Sequence, residues 1–344
     1  PPQEYVIRRF EPGDAPGIAR AFYLTYGYHY DLPMVYVPER LIELNESRHY
    51  VSIVAVAQNG KIAGHYALAR EGDEPIADGG GAVVNPAHRG RDLLNRMRRF
   101  AEEEATRMGL AAYYTEPVTD HGRTQHASES FGAKACGITL GLSPRSFVAK
   151  HMELSTTTQR QSFMLYVKPL RERERRTVYA PARHRAMIER IYTNLGLPVA
   201  FAEGSGTGEP GIVRTSIVRA DQVGTIAVEK AGPESAQRVR QAVDDLRIVA
   251  HLGAIYAQLP LDDPGTPALC ESMEALGFSF GGVGPWMLDG RDALRLQMTL
   301  TPIDLSVLTI VGDFGKELVA YVAAERERIA AMQPAARSSS SSVL

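Results

Sequence analysis

Apolar and polar positions change period several times along this chain, and each change marks an element. Tyr5 to Arg9 alternates as a strand, and Ala15 to Tyr26 spaces its apolar residues at helical intervals behind Asp14, a residue suited to capping. Val51 to Ala57 and Lys61 to Ala69 are β-prone runs joined through Asn59-Gly60, the dipeptide of a tight hairpin turn. Asp78 to Val84 reads as a third strand, with three consecutive glycines at 79 to 81. From Asp92 to Met108 the pattern is helical, with Leu93, Leu94, Met97, Phe100 and Ala101 on one side. That stripe is core packing, and Gly109 stands in the C-cap position. A strand over Ala111 to Glu116, a helix over Thr124 to Phe131 closed by Gly132, and a strand over Ser162 to Lys168 complete the first half.

The plan then starts again. Strand patterns over 177–180, 212–218, 224–229, 253–259 and 294–300 alternate with helical patterns over 183–195, 234–246 and 267–276, and a last helix runs from Phe314 to about Met332. The fully charged run at 171–176 is the natural linker, and the serine run near the C-terminus has the composition of a disordered tail. The expected organisation is an α/β (α+β) protein with a first domain at 1–170, a linker at 171–176, a second domain at 177–333 and a tail at 334–344.

Composition narrows the function classes. With 344 residues, 23% of them charged, and a net charge of −2, the chain has no electrostatic case for nucleic acid or an anionic membrane surface. Cys136 and Cys270 fall in opposite halves with no metal or redox spacing, and no apolar stretch reaches the roughly 20 residues of a membrane span. The first residues have no signal-peptide pattern, so a cytoplasmic protein is expected. Oligomeric state is left open.

The stretch Ala82-Val-Val-Asn-Pro-Ala-His-Arg-Gly-Arg-Asp-Leu-Leu94 carries the chemistry. A strand passes through a basic turn directly into a helix, whose start offers unpaired N–H groups and the positive end of its dipole to an anion. This stretch resembles the acyl-CoA diphosphate loop of the GCN5-related N-acetyltransferases, Arg/Gln-Gly-x-Gly-x-Gly/Ala after a strand. Arg89 and Gly90 match, whereas Asp92 and Leu94 stand where that family has small residues. The resemblance implies two domains of that type, each a mixed, mostly antiparallel central sheet flanked by helices. It also implies that Val83 and Val84 lie on a splayed strand holding the pantetheine arm. Arg89, Gly90, Arg91 and the amides of Asp92, Leu93 and Leu94 would face the diphosphate. Acetyl-CoA or another acyl-CoA is then the co-substrate, with no metal, and the acceptor is an amine of a small molecule or peptide.

For proton transfer the candidates are Glu116, at the end of a strand, and His121, placed with Gln125 and Ser128 at helical spacing. By the resemblance, Ser128 falls where the family's thiolate-protonating tyrosine stands. Two histidines five residues apart, His121 and His126, also prompt a metal reading, but no third ligand has suitable spacing. The aromatic run Tyr23 to Tyr36 suits a pocket wall, and Tyr26, Tyr28, His29 and Tyr30 are the substrate-side candidates. The second half has no basic turn, with Glu229 and Glu234 where one would lie, so it reads as a degenerate copy. An alternative function is a catalytically degenerate acyl-CoA-sensing or protein-interaction module.

Overall fold

The computed structural model describes residues 4–28, 30, 32–70, 72–144, 159–171, 175–206, 208–249 and 252–333. The chain forms two units, one of residues 1–134 and 143–173 and one of residues 135–142 and 174–344. One boundary falls in the charged run. Residues 135–142, which the sequence pattern places with the first half, belong to the second unit.

The first unit runs β1 (Tyr5–Arg9), α1 (Ala15–Tyr26), α2 (Pro38–Glu46), β2 (Tyr50–Ala57), β3 (Ile62–Ala69), β4 (Ile76–Val84), α3 (Leu93–Arg107), β5 (Ala112–Thr115) and α4 (Arg123–Ser130). After β6 (Lys134–Ser143) the chain returns as β7 (Gln161–Pro169). The sheet order is β1-β2-β3-β4-β5-β7, antiparallel throughout except for the parallel β4–β5 pair. The hairpin between β2 and β3 closes as expected, with Asn59 Oδ1 accepting from Lys61 N at 3.1 Å and Gly60 at φ 75°. Asp14 does not cap α1 with its side chain. Its carboxylate instead accepts from the backbone of Glu11 and from Arg8, which fixes the preceding turn.

Ile18, Phe22 and Leu41 from α1 and α2 cover one face of this sheet, with Val54, Ile62 and Val83 beneath them. On the other face, Leu93, Met97 and Ala101 of α3 pack on Ile53, Tyr66 and Leu68. Each large apolar side chain buried this way contributes about 1.5–3 kcal/mol, which overrides any weak local preference. The helix stripe expected for α3 is therefore its buried face, apart from Leu94 and Phe100, which are half-buried.

The second unit contains β6 and then β8 (Arg176–Val178), α5 (Arg185–Leu195), β9 (Val199–Phe201), β10 (Ile212–Val218), β11 (Val223–Lys230), α6 (Ser235–Val249), β12 (Ala254–Pro260), α7 (Thr266–Ala275), β13 (Ser279–Leu288), β14 (Arg291–Thr299) and α8 (Asp313–Met332). Its main sheet has the order β6-β13-β14-β12-β11-β10, while β8 and β9 form a separate parallel pair. Here too an antiparallel pair, β10–β11, is followed by a parallel one, β11–β12. Side chains of the second unit tie β6 in: Tyr256 Oη donates to Leu140 O at 2.8 Å, Gln297 Oε1 accepts from Leu140 N at 2.9 Å, Arg295 donates to Thr139 at 2.8 Å, and Asn194 donates to Ala135 O at 2.9 Å. Gly282 lies at φ 130°, and a Cβ there would stand 2.4 Å from Cys136 O and from Gly137 Cα, so only glycine lets β6 approach β13. No helix among the described residues is long and apolar enough to cross a membrane.

Candidate active site

Two irregularities of β4 shape the candidate site. Its parallel pairing with β5 covers only Ile76 to Asp78, opposite Ala112 to Tyr114. Beyond Asp78, β4 continues to Val84 while β5 ends at Thr115, so among the described residues this edge of β4 is left without a β5 partner and opens as a fork. The second irregularity is a bulge against β3. His65 pairs with Val83 and Ala67 with Gly80, leaving Gly81 and Ala82 opposite Tyr66 alone. Gly81 adopts φ 58°, the left-handed region that glycine tolerates.

Backbone alternation then settles which amides face the fork. Asn85 N donates to Ala63 O of β3 at 2.9 Å, so the Val83 amide two residues earlier also points toward β3. The amide of Val84 points the other way, into the fork, and that of Ala82 points away from β3 as well, because it stands opposite the Gly81 carbonyl that bonds His65 of β3 in the same trans peptide. Val83, expected to contact a bound arm through its backbone, lies with its side chain in the core at 3% exposure. Val84 is half-buried and packs against the core cluster beneath α3.

At its end β4 leads through Asn85, whose side chain accepts from Ala87 N at 3.1 Å, into the basic bend before α3. Arg89, Gly90, Arg91 and Asp92 are all exposed there, and Gly90 turns at φ 75°. The guanidinium of Arg91 lies 5.8 Å from the Tyr5 ring, and Tyr5 Oη meets His88 Nδ1 at 2.9 Å. Burial lowers the His88 pKa, and the positive charges of Arg91 and Lys61 lower it further. The cations of Arg91 and Lys61 therefore converge on this corner beside His88. Leu93 is buried and Leu94 half-buried, so at these two positions only the first-turn backbone is offered to a ligand.

Asp92 is the N-cap residue of α3 at φ 56°, and its side chain makes no capping bond. Its carboxylate runs along the helix instead, accepting from Asn95 at 2.6 Å and from Arg99 at 3.3 Å. The neutralising partner is thus Arg99, one face of the helix along, rather than Arg89 or Arg91.

The proton-transfer candidates separate. Ser128 is buried, and its Oγ donates to Thr124 O at 3.1 Å while accepting from Thr115 Oγ1 at 3.0 Å. Through these bonds it braces β5 against α4. His121 does not share a helix face with Gln125 and Ser128, because α4 begins only at Arg123 after Gly122. Its carbonyl accepts from Gln125 Nε2 at 3.3 Å, and its Nδ1 is buried with no hydrogen-bond partner among the described residues. Glu116 follows directly on β5 and is half-buried.

Across the fork, Tyr26 Oη donates to Ala82 O at 3.4 Å. The ring of Tyr26 lies 4.9 Å from that of Tyr30, which in turn lies 4.7 Å from Phe22. Tyr28 is 75% exposed, 5.0 Å from Tyr23 and 5.4 Å from Tyr36. His29, the fourth residue expected on the substrate side, lies outside the described residues. The aromatic run packs helix against sheet through Phe22, and Tyr26 also reaches the β4 bulge at Ala82, while Tyr28 stays exposed.

Sequence reasoning missed His65. It sits in β3 fully buried, its Nδ1–H donating to Gly81 O at 2.7 Å and its Nε2 accepting from Ser52 Oγ at 2.9 Å. Burial pushes its pKa down to about 4, partly offset by the bond to Gly81. The only sequence signal was a titratable residue in an otherwise apolar strand.

The matching corner of the second unit is built differently. Asp263 accepts from Ala231 N at 2.9 Å and from Gly265 N at 2.8 Å, and Glu234 accepts from Gly211 N at 3.0 Å. A cavity of about 340 Å³ beside them is lined by small residues such as Gly206, Gly232 and Gly265. Three backbone donors at this corner, those of Gly211, Ala231 and Gly265, are thus answered by the protein's own carboxylates. In the same unit His184, Cys270 and Glu274 bring metal-ligating atoms within 4.8 Å of one another. Glu274 there already accepts from His184 at 2.8 Å and from Arg328 at 2.5 Å.

No family model and no curated protein matches the chain. Among solved structures it is similar to an N-acetyltransferase from Staphylococcus aureus Mu50, at 16% identity over 49% of this chain and 99% of that one, with TM-score 0.38. The ribosomal-protein-S18-alanine N-acetyltransferase of Escherichia coli is similar at 17% identity over 50% and 97%, with TM-score 0.39. So is yncA of Salmonella typhimurium, solved with acetyl-CoA, at 17% identity over 50% and 96%, with TM-score 0.39. All three are described as acetyltransferases. Each likeness takes in about half of this chain and nearly all of the neighbour.

Proposed function

We propose that the first unit is an acyl-CoA-dependent N-acyltransferase that moves an acetyl group to an amine of a small molecule or peptide. The observation that carries this reading is the fork: β4 runs past the end of its β5 pairing with two amides directed into the gap, and it ends at a basic helix start. An extended amide-bearing chain suits the open strand edge, as an added strand would. A diphosphate suits the bend, where Arg89, Arg91 and the first-turn amides of α3 supply positive charge.

The chemistry asked of the protein is modest. A neutral amine attacks the thioester carbonyl, and an amide of Ala82 or Val84 stabilises the oxyanion, worth a few kcal/mol in such sites. Glu116 or His121, the latter through its unpaired Nδ1, accepts the amine proton directly or through water. The thiolate leaves without Ser128, whose proton is engaged. Tyr26 and Tyr28 shape the acceptor side. The second unit carries no donor site of its own in this reading, because its corner presents the carboxylates of Glu234 and Asp263 where the first unit has a basic bend.

Calorimetric titration with acetyl-CoA, followed by thiol release over a panel of amines, tests the reading. Micromolar binding that weakens severalfold in Arg89→Ala and Arg91→Ala, together with release in at least one amine, is expected. No binding at millimolar acetyl-CoA would overturn it.

A further inference from the structure

We propose that His65 is a positioning residue whose imidazole clamps the β4 bulge, keeping the amides of Ala82 and Val84 aimed into the fork. This rests on the fork being the acyl-donor site. In a regular antiparallel pair, the carbonyl of Gly81 would accept from a backbone N–H of β3. The bulge removes that partner, because Gly81 and Ala82 together stand opposite Tyr66. The side chain of His65 replaces it. Since a carbonyl only accepts, Nδ1 must carry the proton, and Nε2 must then accept from Ser52 Oγ. Ser52 Oγ accepts in turn from Asn45 Nδ2 at 3.1 Å, while Asn45 Oδ1 accepts from Ser52 N at 2.8 Å. The tautomer is thus set by a relay that begins on α2 and ends on the bulge.

Space-filling alone does not account for this histidine. Phe22 packs edge-on at 5.6 Å and Tyr50 stacks at 6.1 Å, an aromatic setting that phenylalanine would fill equally well. What phenylalanine lacks is the donor to Gly81. That donor matters because the left-handed turn at Gly81 immediately precedes Ala82, so any drift of the Gly81 carbonyl rotates the Ala82 amide. The clamp also lies on the β3 side of β4, opposite the fork, so His65 touches no ligand and acts only through the strand.

Three variants of the full chain test the idea: His65→Asn, whose side-chain amide keeps a donor near the position of Nδ1, His65→Gln, which keeps only a contact toward Ser52, and His65→Leu, which keeps neither. CoA and acetyl-CoA are the probes, because they differ only in the acyl carbonyl the amides would hold. The expected result is unchanged CoA affinity in all three. Acetyl-CoA should bind as in the parent to His65→Asn and about fivefold more weakly to the other two, the loss of one hydrogen bond. Nitrogen-15 spectra should show His65 protonated at Nδ1, and acetyl-CoA should shift the Ala82 and Val84 amides in the parent and in His65→Asn only. Equal weakening for CoA and acetyl-CoA, no difference between His65→Asn and His65→Leu, or an Nε2–H tautomer would overturn the clamp. A parent chain that binds CoA without the acetyl-dependent amide shifts would overturn it while leaving the donor site standing. A parent that binds neither probe would overturn both.

Discussion

Protonating His65 should destabilise the first unit in mild acid. The imidazole is fully buried between Phe22 and Tyr50, and its two nitrogens are committed to Gly81 and Ser52. A second proton on the ring would land on Nε2, which must accept from Ser52, and would place an unpaired charge in the core. Burial is accordingly the main reason the folded pKa falls from 6.5 to about 4. Because the folded value lies below the unfolded one, the unfolded chain binds the extra proton first as pH drops. Stability is complete above pH 6.5 and is lost as pH falls toward 4. Linkage makes the loss about 2 kcal/mol at pH 5 and about 3 kcal/mol at pH 4, against a typical total of 5–15. The assay is denaturant unfolding between pH 7.5 and 4.5, following the first unit by hydrogen exchange of the Ala67 and Leu68 amides. The chain's only tryptophan, Trp286, lies in the second unit and reports that unit separately. There His184, whose pKa burial also lowers, gives a pH dependence in the same direction. In His65→Asn the β3 amides should lose most of the acid slope while the Trp286 transition keeps its own. Parallel slopes in parent and variant would refute the burial argument.

Replacing Asp92 with glycine relieves the left-handed φ of 56° but gives up an exposed pair with Arg99, so stability should stay within about 1 kcal/mol. The same change should tighten CoA binding about threefold in low salt, by calorimetry, with the gain shrinking as salt is added; unchanged affinity would mean the carboxylate is turned away from the bound anion. Gly79→Ala puts a Cβ 2.4 Å from the buried Tyr66 hydroxyl, and a loss of about 1–3 kcal/mol is expected from thermal unfolding, larger than for Gly13→Ala, whose Cβ meets nothing within 4 Å. Ser128→Ala should cost about 1 kcal/mol of stability through the bonds to Thr115 and Thr124, with thiol release from acetyl-CoA nearly unaffected. A hundredfold loss of rate there would restore Ser128 as the acid.

How much was legible follows from what each feature depends on. The hairpin at Asn59-Gly60, the α3 stripe and the glycine stops at 109, 132 and 196 depend on residues a few positions apart, and periodicity finds them. Strand β13 and helix α2 were not read. The start of β13, Ser279-Phe-Gly-Gly-Val-Gly-Pro285, looks like loop until β6 is there to need glycine at 282. Helix α2 is held by Leu41 against the sheet and by Asn45 bonding to Ser52, partners distant enough to leave no local period. The acidic corner of the second unit was half legible: Glu234 stood out, while Asp263, thirty residues on, did not.

By itself the sequence determined that a strand, a basic bend and an amphipathic helix follow one another at 82–94, because strand pattern, turn residues and helical stripe are all local. It also determined that Asp92 and Leu94 are larger than a tight phosphate turn prefers. Only the tertiary structure decided what those residues do. The parting of β4 from β5, the direction of the Ala82 and Val84 amides, the turning of Asp92 toward Arg99, the engagement of Ser128 and the burial of His65 against Gly81 all depend on which strands pair and where the pairing stops. Pairing is a contest among distant backbone groups for the same hydrogen bonds, and its outcome is carried by the whole sheet rather than by any single stretch of chain.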